Sequence, residues 1–168
     1  AGAGSEVDSG GKINVDDPWN VTIGGDGMTA VSDISIAADN TITINAPVNS
    51  TLAGNISMTA DAGNILLADE VRTTTTGDIT LTATLGYIDD TDIADETEYV
   101  AGDVLTMTAA TGIGITTSDI DTQVNSLDAS VTGVGSMVID EFDAIVLTDL
   151  DTVTGSITVS ARGQITAT

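Results

Sequence analysis

Residues 77–88 read GDITLTATLGYI. A Gly-polar pair opens the stretch, an alternating run follows, and a second Gly-x-Ile closes it. In an extended chain Ile79, Leu81 and Ala83 fall on one side, and Thr80, Thr82 and Thr84 on the other. Alternation of period two with β-branched residues predicts a half-buried strand. Glycine reaches corner conformations at no steric cost, so the flanking glycines predict sharp turns.

The phrase recurs. Residues 54–60 read GNISMTA, residues 102–109 GDVLTMTA and residues 155–161 GSITVSA, and each is followed by a closing glycine; a weaker copy, GKINV, lies at 11–15. The step from Gly54 to Gly77 is 23 residues and that from Gly77 to Gly102 is 25. The step from Gly102 to Gly155 is 53, which leaves room for one more unit, assigned to GVGSMVI at 133–139. Self-similarity at this period predicts a solenoid. Between copies the runs are short, as in Ile34 and Ile36, then Ile42 and Ile44, with Ala38-Asp39-Asn40 as a corner. Three short strands per repeat suit a triangular coil. The expected fold is therefore all-β: a right-handed parallel β-helix of about seven rungs, a rod roughly 35 Å long at the usual strand spacing. Residues 1–10 read as a flexible lead-in or linker and 11–168 as a single solenoid domain.

Composition agrees. Apolar residues make up 41% of the 168, but aromatics only 2%, so the core must be built from small aliphatic side chains that can stack in ladders. Trp19, near the start, suits either a cover over an open rung or a surface stack. Asn40 and Asn125 are candidates for an internal ladder at a turn.

Acidic residues number 26 against three cations, Lys12, Arg72 and Arg162, for a net charge of −23. Nucleic-acid binding needs a basic footprint, and the chain has none. Anionic membranes repel such a surface, and no apolar run is long enough for a membrane helix. There is no cysteine, hence no disulfide or thiol chemistry. The chain starts AGAGSEVD, without an initiator Met, and reads as a processed or excised piece.

One stretch departs from the repeat. Residues 88–100 read IDDTDIADETEYV, and the expectation is an acidic loop at 89–98 protruding from a rung. It carries Asp89, Asp90, Asp92, Asp95, Glu96 and Glu98. Calcium takes six to eight oxygens from a flexible loop, so these six are the candidate metal ligands. The alternative is a solvated acidic loop, and the spacing does not match an EF-hand. The single GGDG of residues 24–27 reads as a plain turn, because calcium-binding Gly-Asp repeats work by stacking many copies.

The phrases TGIGITTSDIDTQVNSLDASVTGVGSMVIDEFDAIVL and GSITVSARGQIT, within residues 111–166, resemble the repeats of filamentous-haemagglutinin-type proteins. These are large secreted bacterial adhesins and exoproteins. The resemblance weakens toward Gly54, and the family's N-terminal secretion signature is missing. It implies a parallel β-helix, an exported bacterial protein outside the cell or on its surface, and a shaft role without catalytic residues. Against that bacterial background, the glycosylation sequons at Asn20, Asn49 and Asn55 read as chance matches.

Three function classes follow. The first is structural: an adhesin shaft, or a filament subunit that self-associates end to end, since an open rung is an unpaired edge. The second is a calcium- or glycan-binding surface module, with no cofactor required beyond a possible calcium ion. The third, a polysaccharide lyase or hydrolase, is remote. Such enzymes use paired carboxylates, but Asp16-Asp17, Asp89-Asp90 and Asp140-Glu141 are sequence neighbours, which in a strand face opposite sides and make poor partners unless they sit in a loop. There is also no histidine for general acid–base work. The chain is expected not to be an enzyme.

Overall fold

A computed structural model of the chain describes residues 4–7 (backbone), 11–74, 76–91, 100–114 and 118–168. It is a right-handed parallel β-solenoid, with no helix among the described residues. The chain coils through three faces, and strands between the first and last turns pair in parallel with counterparts one turn before and one turn after.

On the first face, Ile13, Ile34, Ile56, Ile79, Leu105, Leu127, Leu147 and Ala167 stand in one register column. The second-face column is Val21, Ile42, Ile65, Ile88, Ile113, Met137 and Ile157. The third is Met28, Val48, Val71, Val100, Thr122, Glu141 and Ala161. Six steps on the second and third faces give about six turns, and the first face carries a seventh step. The interior is mostly aliphatic, with Thr122 and Glu141 buried among it on the third face. Ile36, Met58, Leu81 and Met107 are almost fully buried in a column beside the first. The outer positions alternate with them, as burial patterns such as that of Ile79–Ala83 show.

Side-chain ladders close the corners. Asn20 Oδ1 accepts from the backbone N–H of Thr41 at 3.0 Å, Thr41 Oγ1 from that of Asn64 at 3.3 Å, and Asn64 Oδ1 from that of Tyr87 at 3.1 Å. A second ladder runs from Asp33 to Asn55 to Asp78 at 3.1 and 2.9 Å. Each side chain satisfies a backbone donor that a corner would otherwise leave without a partner. Asn40 and Asn125 are not a ladder pair. The Asn40 backbone N–H bonds to Trp19 O, and Asn125 Nδ2 donates to Asp103 between two continuous strands. Trp19 is 68% exposed and covers no open rung.

Two further expectations change. The lead-in is not wholly free chain, because Gly4–Val7 forms a strand antiparallel to Ile13–Asp17. It covers the outer edge of the first rung on one face. The phrase at 155–161 also changes place: Ile157–Ala161 stacks on Met137–Glu141, across the second and third faces, and not on the first-face column. The missing first-face unit is the part of Ile120–Val134 around Leu127, and not the stretch at 133–139. Toward the C terminus corners disappear. Val100–Ala109 and Ile120–Val134 run unbroken from the third face into the first, and Met137–Glu141 and Ile157–Ala161 run from the second into the third.

Candidate functional site

The structure describes two of the six carboxylates proposed as metal ligands. Asp92, Asp95, Glu96 and Glu98 lie outside the described residues. Asp89 and Asp90 do not begin a loop, because they end the strand Ile88–Asp90. Strand alternation sends them to opposite sides. Asp90 is buried in register with Leu67, and the Ser118 hydroxyl donates to its carbonyl. Asp89 faces outward in register with Leu66. The two therefore do not converge on one ion, and among the described residues no three potential ligands cluster. The other acidic pairs divide in the same way: Asp17 and Glu141 are buried, while Asp16 is exposed and Asp140 half-buried.

Asp89 sits on a notch of about 270 Å³ lined by Tyr87, Ile88, Asp89, Thr111, Gly112 and Gly114. Its Oδ1 is buried and has no hydrogen-bond partner. Burial raises the carboxyl to about 6 from the ordinary 3.8, since a charged oxygen cut off from water is disfavoured. The notch arises because Ile88 pairs with Ile113. That register sets Gly112 beside Tyr87 and Gly114 beside Asp89, so two side chains are missing from the next turn.

Glu141 is a functional-group placement that composition alone did not reveal. Alternation from Met137 and Ile139 sends it inward, and it is fully buried. Its Oε2 accepts from Thr122 Oγ1 at 2.8 Å and from the Val124 backbone N–H at 3.2 Å; Oε1 accepts from the Asp143 backbone N–H at 3.1 Å. Desolvation outweighs these three donors and pushes the carboxyl up to about 7. Thr122 Oγ1 also lies 3.3 Å from the Asp140 carbonyl. When Glu141 holds a proton, its O–H can donate to Thr122, whose own O–H turns to Asp140.

Two hollows open along the third face. One, of about 180 Å³, lies among Arg72, Ala101, Gly102, Gln123, Asn125 and Asp143. The other, of about 720 Å³, lies among Thr29, Asn49, Glu70, Arg72 and Thr74. All three cations of the chain have partners. Lys12 Nζ is 2.6 Å from Asp33, Arg72 pairs with Glu70, and Arg162 lies 4.8 Å from the centre of the Phe142 ring. The Lys12 hydrogen bond holds the Asp33 carboxyl below its ordinary range.

Fold and surface together define a β-helix repeat protein. No protein-family model, no curated protein and no solved structure matches the chain.

Proposed function

We propose that this chain is a structural rod: a stretch of extracellular β-solenoid, from a bacterial surface protein, that serves as an adhesin shaft or stacks end to end into a filament. The observation that carries this is the continuation of three columns from turn to turn, which stacks a mostly aliphatic interior along one axis. A body built this way gains length turn by turn and is held by the same contacts throughout. The resemblance of residues 111–166 to filamentous-haemagglutinin-type repeats supports export and a shaft role.

End contacts are restricted on one side. Gly4–Val7 already occupies the edge of Ile13–Asp17, so a second copy meets an antiparallel strand there and parallel edges only on the other two faces. The test is negative-stain electron microscopy in calcium and in chelator, with light scattering of a variant lacking residues 1–10. Isolated short rods support the shaft. Filaments that lengthen in the truncated variant support stacking through the uncovered edge. Round particles without a long axis overturn both.

Capture of calcium or a glycan is a second reading, supported by the notch that Asp89 lines. Calorimetry with calcium on wild type and Asp89→Asn tests the ion, and absence of heat in both removes it.

A further inference from the structure

We propose that two copies of this chain pair through their last turns, C-terminal end to C-terminal end, about a two-fold axis. The inference goes beyond the rod reading. It leaves a shaft intact, and it stops growth at two copies where a filament would continue.

The last turn repeats the inward pattern of the turn beneath it. Ile157, Val159 and Ala161 stand in register with Met137, Ile139 and Glu141, and Ile165 and Ala167 with Ile145 and Leu147. In a parallel stack, register partners point to the same side. Met137, Ile139, Glu141 and Ile145 are buried, since the last turn lies over them. Nothing among the described residues lies over the last turn itself. Ile157 is 42% and Ile165 43% exposed, and Ile157–Ala161 and Ile165–Ala167 each pair on one side only. Core-type side chains and unpaired backbone edges coincide there, which makes the end a template for further pairing.

The opposite end differs. Ile13, Val15, Val21, Ile23 and Ala30 of the first turn are all buried. Gly4–Val7 lies antiparallel along the first-face edge, so an edge of this solenoid does accept an antiparallel neighbour.

These facts select the occupant of the open end. Ile157 lies on the second face and Ile165 on the first, so a single added strand leaves one of them bare. A body that presents a whole open turn covers both. The first turn of a second copy is closed, but its last turn is open and carries the same aliphatic side chains. Turning one rod over about an axis across its length reverses the sense of its coil. Last turn then meets last turn with every strand pair antiparallel, an isologous contact that closes at two copies. Charge allows this approach. Residues 152–168 hold no acidic side chain, no lysine and no proline in a chain of net charge −23, while the first turn carries Asp16, Asp17 and Asp26. Arg162 lies 4.8 Å from the centre of the Phe142 ring, one turn back from the open edge. Asp149 and Asp151 are exposed on the outer side of Ile145–Thr154, where they stay in water.

The test is sedimentation equilibrium of the full chain with small-angle X-ray scattering, over a range of protein concentrations and at low and high salt. A monomer–dimer equilibrium is expected, tighter at high salt because two bodies of like net charge repel. The dimer should be a rod about twice as long as the monomer, as an end-to-end contact requires. The double variant Ile157→Asp, Ile165→Asp should weaken pairing about tenfold or more, because it places carboxylates without partners in the contact. Both positions are exposed in a single chain, so its circular dichroism and Tm should match those of the wild-type monomer. Leu85→Asp, at an exposed position in mid-rod, should pair as wild type does. Independently of any variant, amide exchange at residues 157–167 should slow as wild-type concentration rises. A wild type that stays monomeric, an open series of longer assemblies, a side-by-side dimer, or pairing unchanged in the double variant overturns the proposal. Monomeric rods leave the shaft reading standing, whereas round particles remove the rod itself.

Discussion

Acidification should strengthen the C-terminal turns, and Glu141 is the residue that should make it so. Its carboxyl is raised to about 7 in the folded chain from 4.5. An acid whose folded value is raised binds its proton more tightly when folded. Its contribution is therefore fully present below pH 4.5 and is lost as pH rises through 7. Each pH unit of that window corresponds to about 1.4 kcal/mol, so the swing is about 3 kcal/mol. The charged groups around it do not offset this. Asp143 adds to the upward push. Asp140 and Asp121 lie on the outer side of the same strands, and Arg162 lies over the Phe142 ring, its backbone N–H donating to the Glu141 carbonyl. The assay is urea unfolding at pH 4.5 and pH 8, at constant ionic strength, for wild type and Glu141→Gln. Repulsion among the many carboxylates weakens both proteins as pH rises, but the wild type should lose about 3 kcal/mol more than the variant. The Glu141 side-chain carbonyl carbon, followed by NMR, should titrate near pH 7. Equal losses in the two proteins, or a midpoint near 4.5, would refute the reasoning.

Other perturbations address the scaffold. Leu81→Ala empties part of a fully buried column and should cost about 2–5 kcal/mol in denaturant unfolding. Asn64→Ala leaves the Tyr87 backbone N–H without its corner acceptor and should cost about 1 kcal/mol, read from the shift in urea midpoint. Gly114→Ala forces a side chain into a left-handed backbone against the Val138 carbonyl; it should lower stability by about 1–3 kcal/mol and be visible as a lower Tm. Lys12→Ala removes a pair whose side chains are 53% and 42% exposed, and calorimetry should show a change of about 0–1 kcal/mol.

Strands were legible wherever aliphatic and Thr residues alternate, because burial on one side of an extended chain demands that pattern. The column Ile56, Ile79, Leu105 follows from three copies of one phrase. The fourth copy misled for a physical reason. All three faces bury the same alternation, so a phrase identifies a strand but not its face. Position depends on the corners, and the lost corners in Ile120–Val134 and Met137–Glu141 leave no punctuation behind. Gly4–Val7 pairs through its backbone and carries no alternation to announce it. At the candidate site, the acidic character of residues 89–98 overshadowed the alternation. Counting from Ile88 sends Asp90 inward and Asp89 outward, and that count separates the two carboxylates. The notch needed the register between Ile88 and Ile113, which two short, dissimilar stretches do not advertise.

The ladder hydrogen bonds lie along the rod, and partners in successive turns are close in sequence: Ile13 to Ile34 is 21 residues, and Leu127 to Leu147 is 20. A pull applied at the chain ends therefore meets one turn's bonds at a time instead of a whole face in shear. Each turn that yields releases its own length of chain, roughly 70 Å when fully extended for the shortest turns and roughly 90 Å for the turn from Ile79 to Leu105, while the turns behind it keep their columns intact. Under tension the rod would lengthen in increments of one turn and dissipate load locally, a mechanical property set by how many residues separate one rung from the next.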